Sequence, residues 1–234
     1  MNYFYNEYPD KNTFLNTEES SHCIKVLRKK KGDLINLING KGDVFTAEIL
    51  DANFRKCSYN ILNVKKSERK KTFHSHVAIS PTKNHDRLEW FVEKSCELGI
   101  DEISIVATKR TERKKVNMDR LERKTISALK QSKNLYKTQI NAIISLSDFL
   151  KSQQQAVLKF IAFVDHENPK NLQKQILKGA NTLVLIGPEG DFTSEEVNLA
   201  ISNGFQKVSL GNSILRTETA GVIVTHTINM INEW

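Results

Sequence analysis

The stretch from Leu183 to Ala220 constrains the fold of this chain more than any other segment. Four consecutive apolar residues at 183–186 run directly into a Gly-Pro-Glu-Gly turn at 187–190. Such a run, followed by a Gly/Pro turn, predicts a buried parallel strand that ends in a tight loop. Glycines in that loop would let a ligand approach the backbone closely.

A helix is predicted directly after this loop. Thr193 and Glu196 have the spacing of a capping box, so the helix should begin at Ser194. Gly204 is predicted to end it, because glycine is the commonest residue just beyond a helix C-terminus. The residues predicted to be buried on this helix are Val197, Ala200 and Ile201.

A second strand is predicted at 207–210, and the loop at 211–219 then opens a last helix at 220–231. Ligands of open parallel sheets bind at the carboxyl ends of the strands, so the loops after these two strands should form the walls of one pocket. The segment lacks the Gly-Lys-Ser/Thr and Gly-x-Gly-x-x-Gly patterns of nucleotide phosphate loops. The pocket is therefore not predicted to be a nucleotide-phosphate site of those kinds.

Several segments resemble one known family. GPEGDFTSEE and LGNSILRTETA closely resemble the C-terminal signature of the RsmE family, SPOUT-class methyltransferases that modify N3 of a uridine in small-subunit ribosomal RNA. HCIKVLR at 22–28 resembles the family's HHVRVLR, and the segment at 81–103 resembles KGDRMDLIVQKATELGVDEI. The resemblance implies an α/β protein with an N-terminal PUA-like small β-barrel and a C-terminal SPOUT α/β domain, which has a parallel sheet and a deep trefoil knot.

The first seventy residues carry short apolar runs separated by turn residues, and this pattern favours a small β-barrel. The charged connector KKSERKK at 65–71 is the predicted domain boundary. We therefore expect a PUA-like RNA-binding domain at 1–70 and a SPOUT methyltransferase domain at 71–234. The strands predicted in the first domain are 3–5, 34–38, 44–50 and 58–64.

Charge is unevenly distributed along the chain. Residues 1–145 contain 28 Lys and Arg against 18 Asp and Glu, whereas residues 146–234 contain 7 against 9. A basic front part suggests a polyanionic partner, and the resemblance implies that this partner is 16S ribosomal RNA in the small ribosomal subunit. The alternative is a solvated lysine-rich surface without a partner.

Candidate RNA contacts come from both parts of the chain. Lys25 and Arg28 are three residues apart on a short helix that Thr17 is predicted to cap, so they could reach two adjacent phosphates. The alternative is that this basic run only complements the dipole at the helix end. Further candidates lie along one stripe of the helix predicted at 81–99, which carries Lys83, Arg87 and Lys94. Lys94 could instead form an ordinary exposed ion pair with Glu97. The predicted RNA-binding residues are His22, Lys25, Arg28, Lys83, Arg87, Lys94 and Arg110.

The resemblance implies S-adenosylmethionine as the cofactor, held in a bent conformation by the loops of the knot. Backbone groups would make most of these contacts, which suits the small residues in both loops. The predicted cofactor-binding residues are Leu185, Ile186, Gly187, Pro188, Glu189, Gly190, Leu210, Gly211, Ser213, Ile214, Leu215, Thr219 and Ala220.

Methylation of uridine N3 requires removal of the N3 proton, because the neutral base carries one there. Arg216 is predicted to stabilise negative charge on the uracil carbonyls. Either Glu189 or Glu218 would accept the proton or hold Arg216. The sequence does not distinguish between these two carboxylates. Glu218 could instead be an acid that complements a helix dipole.

Other classes of site and of protein are less well supported. The acidic cluster at 165–169 lacks a second set of ligands, so no metal is expected. Three separated cysteines and the absence of a long apolar run favour a cytoplasmic protein without a membrane segment. The last helix is apolar on more than one side and so needs two partners to cover it, and the resemblance implies that one of them is the second subunit of a homodimer. Two alternatives remain, a SPOUT enzyme that methylates a ribose 2′-hydroxyl and an RNA-binding protein without catalysis.

Overall fold

The structure is a computed structural model that describes residues 3–68, 71–152, 158–164 and 170–233. The chain forms two compact units. The first contains Met1–Lys70 together with Ile126–Lys137, and the second contains Lys71–Thr125 and Thr138–Trp234. The segment at 126–137 thus belongs to the first unit, although it follows the charged connector in sequence.

The first unit is built on a four-stranded sheet with the order β1-β2-β3-β4. The edge strand β1 runs parallel to β2, and the other neighbours are antiparallel. Strands β2 and β3 form an antiparallel hairpin, and the Asn39 side chain accepts hydrogen bonds from the backbone of Lys41 and Asp43 in its turn. The strands are β1 (Tyr3–Tyr5), β2 (Leu34–Ile38), β3 (Asp43–Asp51) and β4 (Ser58–Lys66).

The basic N-terminal segment differs from its prediction. Helix α1 (Thr17–Ser21) is capped by Asn16 rather than by Thr17, since the Asn16 side chain accepts the backbone N–H of Glu19. A π-helical turn (His22–Val26) follows, and Arg28 lies beyond it with a left-handed φ of 55°. The prediction that Lys25 and Arg28 share a helix face is therefore wrong, because the helix ends before Arg28.

The second unit contains a six-stranded sheet in which all neighbours are parallel, with the order β10-β8-β9-β5-β6-β7. The predicted buried strand is confirmed as β9, whose five residues are all buried between two neighbours. The strands are β5 (Ser75–Ile79), β6 (Glu102–Ala107), β7 (Gln139–Ser145), β8 (Leu158–Ala162), β9 (Thr182–Ile186) and β10 (Gln206–Val208).

The strand order changes the expected geometry of the pocket. The loops after β9 and β10 are not immediate neighbours, because β8 lies between these two strands. The sequence could not reveal this order, since strand pairing depends on contacts between distant residues. The carboxyl end of β8 therefore contributes to the same edge of the sheet.

The helices of this unit confirm some predicted boundaries and correct others. Helix α2 begins after Asn84, so Lys83 lies outside it, and a 3-10 turn spans Leu172–Lys174. The helices are α2 (His85–Glu97), α3 (Met118–Ser132), α4 (Leu146–Ser152), α5 (Ser194–Ser202) and α6 (Thr217–Ile231), of which α3 extends into the first unit.

The capping box of α5 is confirmed. The Thr193 hydroxyl accepts the backbone N–H of Glu196, and the Glu196 carboxylate accepts that of Thr193. Gly204 follows the helix with a φ of 86°, as expected for a glycine beyond a C-terminus. Val197 and Ala200 are buried, but Ile201 is 43% exposed, so its predicted burial is wrong.

Helix α6 packs closely on α2 and β5 at a glycine. A Cβ atom built on Gly221 would overlap the ring of Phe91 and would lie 3.2 Å from Cδ1 of Ile79. Both of these side chains are fully buried, so neither has open space to move into. The small residue at 221 therefore sets how closely α6 approaches the sheet.

A cluster of polar side chains lies at the amino ends of β5 and β6, away from the predicted pocket. His76 is buried, and its Nε2 lies 2.9 Å from the Ser104 hydroxyl. Burial lowers the pKa of His76 to about 4, against the raising effect of nearby Glu102. The hydrogen bond with His74 lowers the pKa of Glu102 to about 2.

Replacing Gly221 with alanine should lower the free energy of unfolding by about 1–3 kcal/mol, because the extra carbon must displace Phe91. Urea unfolding of the full chain measures this change. His226→Ala is the control, since His226 is exposed on the same helix, and it should change stability by less than about 0.5 kcal/mol. Equal effects of the two substitutions would contradict the close packing at Gly221.

The free energy of unfolding should fall as the pH drops from 6.5 to 4, because unfolded His76 takes up a proton in this window and folded His76 does not. The slope from this group is on the order of 1 kcal/mol per pH unit. Urea unfolding across this range should give a shallower profile for His76→Gln. Exposed His226→Gln is the matched control for loss of an imidazole, and an unchanged slope in His76→Gln would refute the assignment.

Candidate cofactor site

A cavity of about 580 Å³ opens at the carboxyl ends of β8, β9 and β10. Its walls come from the loop after β9, the loop between β10 and α6, and the end of β8. Parallel sheets bind their ligands at this edge, where loops of different strands meet. The location therefore agrees with the pocket that the two sequence motifs predict.

Most of the predicted cofactor residues line this cavity, but three do not. Leu185 is a fully buried residue inside β9, and neither Gly190 nor Thr219 is part of the wall. The predicted residues in the wall are Ile186, Gly187, Pro188, Glu189, Leu210, Gly211, Ser213, Ile214, Leu215 and Ala220.

Other lining residues were missed by sequence reasoning. Only the strand order places the end of β8 between the other two walls of the cavity. Three further missed positions lie within the two motifs, and two lie just before the second motif. The missed residues are Ala162, Phe163, Val164, Asp191, Val208, Ser209, Asn212 and Thr217.

Gly187 sits where the loop after β9 meets the start of α6. The buried Thr217 hydroxyl donates a hydrogen bond of 3.0 Å to the Gly187 carbonyl. A Cβ atom on Gly187 would lie 3.1 Å from the ring of Phe192, closer than side chains normally pack. A side chain at this position would press on the Phe192 ring at the base of the wall.

Asp191 joins two walls of the cavity. Its backbone has a left-handed φ of 59°, and its carboxylate accepts the backbone N–H of Phe192 at 2.8 Å and that of Val164 at 3.4 Å. Burial raises the pKa of the Asp191 carboxyl above its ordinary value, although these hydrogen bonds and nearby Arg110 act in the opposite direction. The loop after β9 is thereby tied to the end of β8.

Arg87 connects the two candidate catalytic carboxylates. Its guanidinium lies 4.0 Å from the Glu189 carboxylate and 3.7 Å from the Glu218 carboxylate. Glu189 lies in the cavity wall and accepts the backbone N–H of Lys83 at 3.0 Å. Glu218 is buried outside the wall, and its Oε2 atom has no hydrogen-bond partner among the described residues.

Arg216 lies at the mouth of the cavity as the residue before α6. Its side chain is exposed and, among the described residues, forms no hydrogen bond or ion pair. Neither Glu189 nor Glu218 pairs with it, so the expectation that one of them holds Arg216 is not met in this structure. The guanidinium is therefore available to a bound molecule.

The cations predicted to contact RNA in the second unit have different surroundings. Lys83 pairs with Glu112 at 3.1 Å on the surface. Lys94 pairs with Glu97 at 2.8 Å, as the alternative interpretation of this residue describes. These two lysines and Arg87 do not form one helical stripe, since Lys83 precedes α2.

Arg110 supports the loop after β9. Its guanidinium donates a hydrogen bond of 2.6 Å to the Gly190 carbonyl and a longer one to the Phe192 carbonyl. A structural role is thus visible for this residue in addition to the predicted contact with RNA. The role was not evident from the sequence, because Arg110 and Gly190 are far apart along the chain.

In the first unit, the predicted RNA contacts His22, Lys25 and Arg28 are all exposed. The Lys25 ammonium lies 4.1 Å from the centre of the Phe54 ring, and the His22 ring is in edge contact with Phe4. The structure places these residues on and just after the π-helical turn.

The described residues show neither a metal-binding cluster nor a membrane-spanning helix. The described residues contain no group of three His, Cys, Asp or Glu side chains that could hold a metal ion. The acidic cluster at 165–169 lies outside the described residues. Among the described helices, none has the length and apolar character needed to cross a bilayer.

Comparisons with known proteins agree over almost the entire chain. A family model for an RNA methyltransferase domain matches residues 68–229, and one for an RNA methyltransferase PUA domain matches residues 15–62. The ribosomal RNA small subunit methyltransferase E of Rickettsia conorii is 30% identical over 93% of this chain and 89% of its own.

Solved structures agree as well. A probable rRNA-methyltransferase from Porphyromonas gingivalis is 34% identical, with a TM-score of 0.93 over 100% of this chain and 99% of its own. The methyltransferase E of Neisseria gonorrhoeae, solved with S-adenosyl methionine, is 26% identical, with a TM-score of 0.86 over 99% and 98% of the two chains. The prediction of a PUA domain followed by a parallel-sheet α/β methyltransferase domain is thus confirmed. The chain belongs to the ribosomal RNA small subunit methyltransferase E family.

Proposed function

We propose that this protein transfers a methyl group from S-adenosylmethionine to N3 of a uridine in the 16S ribosomal RNA of the small subunit. The observation that carries the proposal is the cavity whose walls are the two loops with the family's signature motifs. The family membership of the chain and the cofactor in the Neisseria gonorrhoeae relative support it.

The cavity fits S-adenosylmethionine in size and in chemistry. Its volume of about 580 Å³ lies within the range of sites for small ligands. Apolar residues such as Ile186 and Leu215 suit the adenine ring, and backbone groups of the loop at 209–213 can satisfy its polar atoms. The carboxylates of Glu189 and Asp191 give the wall negative charge, which suits a ligand that carries a sulfonium cation.

When bound, the cofactor supplies an activated methyl carbon for an in-line displacement. The chain must then hold the uracil ring in line and stabilise the anion that forms on it. Arg216 is suited to this task, because it is exposed in the cavity wall and pairs with no carboxylate among the described residues. Its guanidinium would stabilise the negative charge that develops on a uracil carbonyl oxygen.

Glu189 is the better candidate to accept the N3 proton. It lies in the cavity wall, whereas the Glu218 carboxylate is buried outside it. Arg87 stands between the two, so Glu218 would act as a positioning residue that holds Arg87, and Arg87 would keep the Glu189 carboxylate in place. Positioning Arg87 thus replaces the role predicted for Glu218, which was to hold Arg216.

The remaining parts of the proposal concern assembly and partners. The N-terminal domain, at 1–70, would bind the RNA as a PUA-like small barrel, and the C-terminal domain, at 71–234, would form the SPOUT fold with its trefoil knot. Ile223 and Met230 on α6 are partly exposed apolar residues on a helix that already packs against α2, which supports a homodimer. A cytoplasmic location follows from the substrate, since ribosomal subunits are there.

Arg216→Ala should lower kcat by about 100-fold or more while the Kd for S-adenosylmethionine changes little, because the lost contact exists only with the uracil anion. The assay is transfer of labelled methyl to small ribosomal subunits that lack the modification, followed by mass spectrometry of the labelled nucleotide. Arg216→Lys is the matched control for charge, and it should retain part of the rate.

Three results of this assay would contradict parts of the proposal. Label on a ribose would favour the 2′-hydroxyl as the target. Cofactor binding without any transfer would favour an RNA-binding protein without catalysis. Full activity of Arg216→Ala would remove the proposed role of Arg216.

Glu189→Gln should lower kcat by about 100-fold or more, since general-base catalysis contributes about 10²–10⁴-fold. Glu218→Gln should have a smaller effect on kcat and should leave the shape of the pH–rate profile unchanged, because it acts only through Arg87. Both variants need a measured Kd for the cofactor, as Glu189 lies in the cavity wall. If Glu218→Gln alone abolished the rise in kcat on the acidic side of the pH–rate profile, the two roles would be exchanged.

A further inference from the structure

Two phenylalanine rings are exposed on the surface of the first unit. Phe14 is 38% exposed and Phe54 is 41% exposed. Phe54 lies in the turn between β3 and β4, and Phe14 forms an antiparallel bridge with Ser58 at the start of β4. Both rings therefore belong to the region where the N-terminal segment meets the β3–β4 turn.

Each ring has a cation over its face. The Lys25 ammonium lies 4.1 Å from the centre of the Phe54 ring, and the Arg55 guanidinium lies 5.4 Å from it. The Lys56 ammonium lies 4.3 Å from the centre of the Phe14 ring. We call these five residues the aromatic platform.

The cations of the platform are not neutralised by acidic side chains. Within the part of the chain that the structure describes, Lys25, Arg55 and Lys56 form no ion pair with a carboxylate. Exposed cation–π contacts are worth only about 0.5–1 kcal/mol, so an incoming anion can take these cations from the rings at small cost. The platform therefore offers three positive charges and two aromatic faces.

The backbone holds the platform in a defined shape. The Asn53 side chain accepts the backbone N–H of Arg55 at 2.8 Å, and its carbonyl accepts that of Lys56 at 3.2 Å. Backbone hydrogen bonds from Leu15 to Cys57 and from Tyr59 to Thr13 hold the segment that carries Phe14 against β4. The rings are thus presented by a hydrogen-bonded turn and by a strand-like segment.

Aromatic faces together with unpaired cations match one kind of partner. Unpaired bases of single-stranded RNA stack on aromatic side chains, and their phosphates bind Lys and Arg. Double-stranded RNA does not offer its base faces, because they are stacked within the helix. The combination of charge and rings therefore favours an unpaired RNA segment over a duplex.

We propose that the aromatic platform binds unpaired nucleotides of the substrate RNA, with Phe54 and Phe14 stacking on bases and Lys25, Arg55 and Lys56 contacting phosphates. This inference rests on the proposed function for the identity of the RNA. It adds a base-stacking surface outside the cofactor cavity, and it gives Lys25 a specific partner ring.

Phe54→Leu should raise the KM for small ribosomal subunits about tenfold and leave kcat and the Kd for S-adenosylmethionine unchanged, since stacking is worth about 1–3 kcal/mol per base. Leucine keeps the apolar volume and removes the aromatic face. Phe54→Tyr restores such a face and should restore the KM. Leu62→Ala, at a 53% exposed position on β4, is the control for loss of exposed apolar surface.

The salt dependence of RNA binding distinguishes the contribution of the rings from that of the cations. Lys25→Gln and Arg55→Gln should each change how binding of a short unpaired RNA oligonucleotide depends on salt. The slope of log binding constant against log salt concentration should fall by about 0.7, the value for one phosphate contact of a single strand. Phe54→Leu should weaken binding of a short unpaired RNA oligonucleotide without changing this slope. A matched RNA duplex should bind wild type and Phe54→Leu equally.

The outcomes distinguish this inference from the proposed function. If the wild type methylates small subunits and Phe54→Leu has an unchanged KM, the platform is refuted and the function stands. If the wild type transfers no methyl group, the function fails, and the oligonucleotide experiment still tests the platform. Equal oligonucleotide binding by Phe54→Leu and the wild type would refute base stacking on Phe54. If Phe54→Leu lost more affinity for the duplex than for the single strand, an unpaired RNA segment would be refuted as the partner.

Discussion

The hydrogen bond from the buried Thr217 hydroxyl to the Gly187 carbonyl joins the two loops on which the candidate site depends. It ties the end of β9 to the first residue of α6, so the residues on either side of Thr217 take fixed places. Arg216 remains in the exposed loop at the cavity mouth, whereas Glu218 enters the buried side of the helix. Two charged residues that are neighbours in sequence therefore meet different partners.

Local patterns were enough to predict the elements that carry this site. The apolar run of β9 and the capping box of α5 depend on residues close in sequence, and both are confirmed. The position of β8 between β9 and β10 depends on pairing between distant strands, and so the missed wall residues at the end of β8 had no local signal. The wrong prediction that Ile201 is buried has a similar cause. Helical spacing does not show how wide a face of α5 the rest of the fold covers.

Single side chains were harder to interpret than elements. Arg110 had the charge of an RNA contact, but it also donates to the Gly190 carbonyl, and only the folded chain brings the two together. Arg28 had the spacing of a helical neighbour of Lys25, yet the turn ends before it and its φ is left-handed. Charge and spacing indicate what a residue is able to bind, whereas its partner is decided by tertiary contacts.

The two surfaces proposed to act on the RNA use their charges in different ways. At the cavity, Arg87 lies between Glu189 and Glu218 and limits where these carboxylates can move, whereas Arg216 forms no ion pair with any residue that the structure describes. On the aromatic platform, Lys25, Arg55 and Lys56 rest on rings and form no ion pair with an acidic side chain of the described chain. A cation paired with a carboxylate must lose that partner before it meets a phosphate, whereas a cation on a ring gives up little. The platform is therefore suited to first contact with the RNA, and the paired charges are suited to holding the reacting groups in place.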